Sequence, residues 1–372
     1  MTTIRAQFIL KKREDYSTDL KNFTYTTVST GMFNSAKFVA DMLVNAGIPA
    51  ELAIVDDNNS IDKAISTFKP THVFIEGYWV VPEKFEILQK LHPDVTFVVR
   101  CHSESPFLAQ EGIAMGWTFG YLGQGVSVSG NSPRMNRELR VIAEAAGFDM
   151  MNLSKTIPLL PNYYPVGDVQ VVNNQFTGTI NVGCFGAIRP MKNHLLQAIA
   201  AIDYAESNNL KLRFHINGGR VEMNGGNPLK NLHALFANLP QHELVEHDWA
   251  SHEDFLDLIK SMDICLQASF TETFNIVTAD AVSQGVPVVV SSEISWVKPP
   301  FADPTSAKDI VAKMELALEN RGRTVQNSVE GLKEHSAMAK KRWLKYLSVD
   351  AVDVAQPKTS VFQAFKSFLG LA

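Results

Sequence analysis

Residues 267–290 read QASFTETFNIVTADAVSQGVPVVV, and this stretch decides the fold. The apolar run 264–267 that leads into it has strand length, and 286–290 is a second run rich in valine. Between them, residues 275–284 carry a helical pattern that Gly285 closes, and Pro287 introduces the next strand. Strand, helix and strand in this order belong to a parallel sheet covered by helices. Ligands of such sheets bind beyond the carboxyl ends of the strands, so the loop after Gln267 faces a ligand. That loop contains Glu272, and the helix is expected to open near Thr273. First-turn N–H groups have no intrahelical partner and, with the helix dipole, suit a phosphate.

Glu272 and Asp280 are eight residues apart. A continuous helix would separate them by roughly 12 Å. A glycosidase carboxylate pair needs roughly 5–9.5 Å. The spacing suits two acids gripping hydroxyls at opposite ends of an extended ligand, such as a nucleoside diphosphate sugar. It is equally met by a Glu272 that caps the helix and a solvated Asp280.

The alternation extends in both directions. Strand-like runs at 180–185, 212–216 and 244–246 join those at 264–267 and 286–290, with helical patterns at 194–202, 229–237, 252–261, 275–284 and 307–320. The first half repeats the theme. Its strand-like runs are 4–10, 52–55, 73–75, 95–100 and 126–129, and its helical patterns are 35–45, 61–68, 83–91 and 134–146. Residues 159–181 interrupt the rhythm with prolines and asparagines. The economical reading is α/β: two doubly wound, Rossmann-like domains facing across a cleft. The expected divisions are a domain over 1–165, a linker over 166–180, a second domain over 181–335, and C-terminal helices over 336–372 (336–346 and 358–369) that pack back on the first.

Composition narrows the function. The chain has 372 residues, with 34 Lys+Arg against 39 Asp+Glu and a net charge of −5, which disfavours a globally basic nucleic-acid binder. Cys101, Cys184 and Cys265 are odd in number, widely spaced and set in or beside apolar runs, so buried reduced thiols are expected. No window of about 18 uncharged apolar residues exists, and no apolar segment precedes the charges at 11–13. A cytoplasmic protein without a membrane span is expected.

Four further loops follow strand candidates or open helices. Residues 183–194, GCFGAIRPMKNH, run from a strand through Gly186 to two cations. Arg189 and Lys192 are placed there to neutralise a diphosphate. Gly218 and Gly219 in 216–220, INGGR, let a nucleotide approach the backbone or simply make a turn. Residues 29–35, STGMFNS, carry Gly31 and Asn34 before the first amphipathic helix. Residues 100–107, RCHSESPF, place His102, Ser103 and Glu104 just after a strand. His102 either binds a substrate hydroxyl or is a satisfied structural residue. Asn34, Ser103 and Glu104 are the acceptor-side candidates.

These pieces, in this order, resemble the GT-B glycosyltransferases, and most closely the retaining family called glycosyl transferases group one. Glu272…Asp280 with the trailing Gly285-Val286-Pro287-Val288-Val289 resembles that family's E-x7-E signature. Gly186…Lys192 resembles its glycine–arginine…lysine loop, and Gly218-Gly219 sits where the family has a glycine-rich nucleotide loop. The resemblance implies that Lys192 and Arg189 bind the donor diphosphate, that Glu272 holds the transferred sugar, and that Asp280 binds the ribose. It implies that the backbone at Thr273, Phe274, Asn275 and Ile276 meets the phosphates. His102 would lie near the reaction centre. The implied reaction is metal-independent transfer with retention, the leaving diphosphate accepting the acceptor's proton. No cofactor is implied beyond a UDP- or GDP-sugar donor.

This chain departs from the family pattern at three places. Asp280 replaces the second Glu, Ala187 follows Gly186 where the family has its arginine, and Asn275 stands where a glycine is expected. A sugar-nucleotide epimerase of the same fold is the alternative enzyme, and a non-catalytic sugar or nucleotide binder the alternative class. The acceptor is open between a lipid, a polysaccharide and a modified nucleic acid, and so is the oligomeric state. Lys333, Lys340, Lys341, Arg342 and Lys345, with Trp343 and Tyr346 among them, form either a solvated helix face or a contact for an anionic membrane or nucleic acid.

Overall fold

The computed structural model describes residues 3–12, 30–149, 152–172, 178–222, 224–248 and 250–349. The chain divides into two compact units, Met1–Tyr163 with Ala337–Ala372, and Tyr164–Ser336.

The first unit holds five parallel strands, β1 (Ala6–Lys11), β2 (Ala50–Val55), β3 (His72–Glu76), β4 (Thr96–Cys101) and β5 (Ser127–Gly130). Their order across the sheet is β2-β1-β3-β4-β5. Ile9, Val73, Ile75 and Val99 enter one apolar cluster, while Phe8, Phe74 and Val98 enter another. This is the period-2 alternation of a sheet buried on both faces. The helices between strands are α1 (Thr30–Asn45), α2 (Ser60–Phe68), α3 (Lys84–Leu91), α4 (Ser105–Leu108) and α5 (Ala114–Gly123). After β5 come α6 (Pro133–Ala145) and the short α7 (Leu153–Thr156).

The second unit repeats the plan with β6 (Thr179–Gly183), β7 (Lys211–Ile216), β8 (Glu243–Glu246), β9 (Ile264–Gln267) and β10 (Val288–Val290). These run parallel in the order β10-β9-β6-β7-β8. Its helices are α8 (His194–Ser207), α9 (Gly226–Ala237), α10 (His252–Lys260), α11 (Ile276–Ser283) and α12 (Ala307–Glu319). The expected α/β class with two Rossmann-like sheets is therefore what the chain forms.

Several boundaries move. Helix α1 starts at Thr30, five residues earlier than its apolar pattern, and Ser29 lies outside the described residues. The expected helix over 336–346 is the end of a 29-residue helix, α13 (Arg321–Val349). Its earlier part is polar and was not expected to be helical; it buries Val325, Ser328 and Leu332 at intervals of three and four. Residues 337–349 of α13 belong to the first unit and pack Trp343 against the stacked rings of Phe8 and Phe74, with ring centroids 5.6 and 4.9 Å away. Trp343 Nε1 donates to the Pro161 carbonyl at 2.8 Å, so the indole is buried without leaving a donor unpaired. The expected helix over 358–369 lies outside the described residues.

Candidate functional site

In the second unit, neighbouring strands β6 and β9 send two loops to one place. The loop after β9 is bolted to the first turn of α8 and the segment before it. Ala268 N donates to Gln197 Oε1 at 2.7 Å, Asn193 Nδ2 donates to the Ala268 carbonyl at 3.0 Å, and Phe270 N donates to the Met191 carbonyl at 2.9 Å. Gln267, buried at the end of β9, joins both loops. Its Nε2 donates to the Phe185 carbonyl at 2.8 Å and its Oε1 accepts from Asn275 Nδ2 at 2.8 Å.

The helix opens later than expected. Helix α11 begins at Ile276, and Thr273 and Phe274 lie in the loop before it. Asn275 is the N-cap: its Oδ1 accepts from Thr278 N at 2.9 Å, leaving the N–H groups of Ile276 and Val277 without an intrahelical acceptor. Asn275 has φ 55°, a conformation that glycine adopts freely and asparagine tolerates. One residue therefore supplies the turn and the cap, which accounts for asparagine at the position where glycine was expected. Phe274 is buried against Trp296 and His335, and its carbonyl accepts from Trp296 Nε1 at 2.6 Å.

Lys192 closes a 3-10 turn (Pro190–Lys192) and forms an ion pair with Glu272, both side chains mostly withdrawn from water. Gly186 has φ 109°, and its N–H donates to Asn217 Oδ1 at 2.9 Å. A methyl group at Gly186 would lie 4.0 Å from Lys192 Cε and 3.9 Å from Val277 Cγ2. Gly186, Lys192, Glu272 and the first turn of α11 thus converge.

Other candidates are arranged differently from the sequence reading. Arg189 is engaged by Glu222 (Nη2–Oε2, 2.8 Å), which also holds Arg220. The cause is a bridge between Ile188 and Val221, which sets Arg189 beside Glu222 and not beside Glu272. At Gly218 an added side chain would meet the Glu246 carboxylate, the far end of a flexible side chain. Gly219 is less crowded, 3.5 Å from Asp248 Oδ1. The separation computed for a continuous helix does not apply to Glu272 and Asp280, because only Asp280 is helical. Nor is Asp280 solvated. It is buried, and its Oδ1 accepts from Tyr164 Oη at 2.8 Å and meets His252 Nε2 at 2.8 Å. The hydrogen bond to Asp280, opposed by burial and aided by its charge, raises the His252 pKa. Tyr164 and His252 were missed, since nothing in their local sequence marks them as partners of a residue more than 25 positions away.

His194 was also missed. It opens α8, is buried, and has no hydrogen-bond partner at Nδ1. Burial, then the charges of Lys192 and Arg189, push its pKa down to about 3.

The first unit gathers charge at the ends of β3 and β4. Glu76 and Arg100 stand in register, and the fully buried Glu76 carboxylate accepts from Arg100 Nη1 at 2.8 and 3.0 Å. His102 Nε2 meets the same carboxylate at 2.6 Å. Burial alone would raise the Glu76 pKa, but Arg100 and His102 outweigh it and the net shift is downward. Arg100 Nη2 donates to Asn162 Oδ1 at 2.9 Å, and Asn162 Nδ2 donates to Ser35 Oγ on α1 at 3.1 Å. Gly31 and half-buried Asn34 lie on that same helix. Ser103 offers its carbonyl to Cys101 Sγ at 3.3 Å. Glu104 does not present a free carboxylate: it accepts from Ser132, the N-cap of α6, and from Arg134 Nε at 3.1 Å. Burial raises its pKa against these two partners. The three cysteines are buried and reduced, as expected, and burial raises Cys101 and Cys184 to about 12.

Residues 179–316 match the model of the family described as Glycosyl transferases group 1. No curated protein sequence matches the chain. Among solved structures, it is similar to the N-terminal domain of trehalose-6-phosphate phosphatase from Candida albicans, with TM-score 0.65 and 10% identity over 92% of this chain and 96% of that one. It is similar to sucrose-phosphate synthase from Thermosynechococcus elongatus, with TM-score 0.63 and 14% identity over 94% of this chain and all (100%) of the other. A UDP-forming α,α-trehalose-phosphate synthase from Burkholderia xenovorans gives TM-score 0.63 and 7% identity over 94% and 100%. The resemblance read in the sequence is borne out in the fold, which is the two-sheet GT-B fold of these structures, and over residues 179–316, which match the group 1 model.

Proposed function

We propose that this protein is a glycosyltransferase that moves a sugar from a UDP- or GDP-sugar to its acceptor with retention of anomeric configuration. The observation that carries the reading is the Lys192–Glu272 pair beside Gly186 and the first turn of α11, inside the region matched by the family model. A diphosphate needs a cation and free N–H donors, and Lys192 with the N–H groups of Ile276 and Val277 supplies both. A sugar needs an acceptor for its hydroxyls, and Glu272 supplies that one step away. The second oxygen of Asp280 takes a ribose hydroxyl, while Tyr164 and His252 hold the first. The acceptor's proton passes to the leaving diphosphate, whose growing negative charge Lys192 stabilises.

The test is a thermal-shift panel of UDP, GDP, ADP and their sugars. A ligand at 100 times its dissociation constant stabilises the protein by roughly 2.7 kcal/mol, which a melting curve resolves. Nuclear magnetic resonance of the product then reads the anomeric configuration. No shift with any nucleotide would end the donor assignment. An inverted product would end the claim of retention, and an epimer formed without acceptor would replace transfer with epimerisation.

A further inference from the structure

We propose that Tyr164 and His252 are positioning residues that set the selectivity for the nucleotide's sugar: by holding one oxygen of Asp280 they aim the other at a single ribose hydroxyl. This inference rests on the donor reading above and adds to it two residues and a discrimination between ribo- and deoxyribonucleotides. Asp280 is 2% exposed, and both donors that reach it, Tyr164 Oη and His252 Nε2, go to Oδ1 at 2.8 Å. Oδ2 accepts from no described residue. A buried carboxylate that serves the fold alone spreads its donors over both oxygens, because an acceptor withdrawn from water and left without a donor is costly. Glu76 of the first unit does so, taking Arg100 on Oε1 and both Arg100 and His102 on Oε2. The uneven load on Asp280 leaves one oxygen for a donor from outside the chain.

Both anchors are themselves held. Tyr164 is buried, and its backbone is tied to α13, where Ser336 Oγ donates to the Tyr164 carbonyl at 2.8 Å. Burial, then the charge of Asp280, pushes the Tyr164 pKa up, so the hydroxyl keeps its proton and meets Oδ1 as a donor. His252 is the first residue of α10, which is capped by Ser251 and packs beside α11. Asp280 lies four residues after Ile276, whose N–H opens α11. The two positions share a helix face about one turn apart, roughly 6 Å. A ribose joined through its 5′ carbon to a phosphate at that N–H spans such a turn and brings a hydroxyl to Oδ2. A deoxyribonucleotide keeps the base and the phosphates and lacks only a hydroxyl, so it isolates this contact.

The experiment is titration calorimetry of the full chain with UDP and GDP, each beside its 2′-deoxy and 3′-deoxy analogue. Losing a hydrogen bond to a charged group costs at least about tenfold in affinity, so one analogue should bind that much more weakly while the other matches its parent. This first result needs no variant. In Tyr164→Phe and in His252→Ala the parent nucleotide should fall toward the weak analogue, whose own affinity stays where it was. A melting curve checks that each variant folds. If neither UDP nor GDP binds, the donor reading falls and this inference with it. If a parent binds and both analogues bind equally well, Oδ2 is satisfied by water and the inference falls alone. It falls alone as well if both analogues are equally weak, or if the variants weaken parent and analogue by the same factor, which is what a merely structural role would produce.

Discussion

Lys192 and Glu272 follow neighbouring strands of one sheet and close on each other as an ion pair beside Gly186. A diphosphate and Glu272 therefore compete for the same ammonium group, and the two residues have separable effects on ligands. Lys192→Ala should remove the thermal shift from nucleotide and nucleotide sugar alike. Glu272→Gln releases the lysine, so the shift from UDP or GDP should persist or grow, while the extra shift from the attached sugar is lost. Equal loss of both shifts in Glu272→Gln would contradict the role given to that carboxylate.

The two sheets were legible because parallel strands buried on both faces read as short apolar runs, and the runs at 73–75 and 264–267 became β3 and β9. Lys192 and Glu272 were legible because each lies just past a strand, where such sheets bind ligands. What stayed hidden depends on contacts distant in sequence. Arg189 looked like a diphosphate ligand until its bridge neighbour brought Glu222 to it. Gly218 could serve a nucleotide or simply a turn, and nothing in its local sequence marks Glu246, which lies beside it in the fold. Helix α5 escaped notice because AMGWTFGYLG is apolar all round and contains three glycines, each weakening the helical signal. Its order comes from the interior, where buried Tyr121 donates to the Val80 carbonyl at 2.6 Å.

His252 gives stability a defined pH dependence. Its folded pKa is raised above 6.5 by the hydrogen bond to Asp280, so the folded state binds the proton more tightly than the unfolded state. That contribution is fully present below about 6.5 and disappears as pH rises through the folded value. The melting-temperature advantage of the native protein over His252→Gln should be largest in mild acid and should shrink in alkali. An advantage that grows with pH would reverse the assignment.

His194 and His215 act in the opposite sense. Burial, reinforced by Lys192 and Arg189, lowers His194 to about 3. Burial and the neighbouring His247 lower His215 to about 4. Their neutral forms contribute stability above about 6.5 that is lost as pH falls toward those values. His194→Gln and His215→Gln should each flatten the loss of melting temperature between about pH 6.5 and pH 4. Circular dichroism melts across that range test this, and unchanged acid sensitivity in both variants would rule the two histidines out.

The buried carboxylate of Glu76 holds the Arg100 guanidinium and the His102 ring, and the two are unequal. Glu76→Gln strips Arg100 of its counter-ion inside the core, where breaking a buried pair costs about 3–5 kcal/mol. His102→Asn removes one partner of a carboxylate that Arg100 still neutralises, at a cost nearer 1 kcal/mol. Urea unfolding of the two variants should separate them by at least about 2 kcal/mol. Equal losses would show that losing the His102 contact costs as much as losing the whole Glu76 carboxylate, against the leading role given to Arg100.

Two glycines in the second unit separate crowding by backbone from crowding by a side chain. An added methyl at Gly225 would overlap the carbonyl of Ile188, which is fixed because it accepts from Glu222 N at 3.1 Å. That carbonyl cannot retreat without disturbing the bridge that carries Arg189. At Gly218 the obstacle is the Glu246 carboxylate, the far end of a flexible and exposed side chain that can swing away at the loss of its 2.7 Å contact with His233. Overpacking that the surroundings cannot absorb costs about 1–3 kcal/mol, whereas losing an exposed ion pair costs under about 1 kcal/mol. Gly225→Ala should therefore destabilise the protein more than Gly218→Ala. If Gly218→Ala is the worse of the two, Glu246 is held more firmly than its exposure implies, and the turn after β7 is a rigid part of the unit.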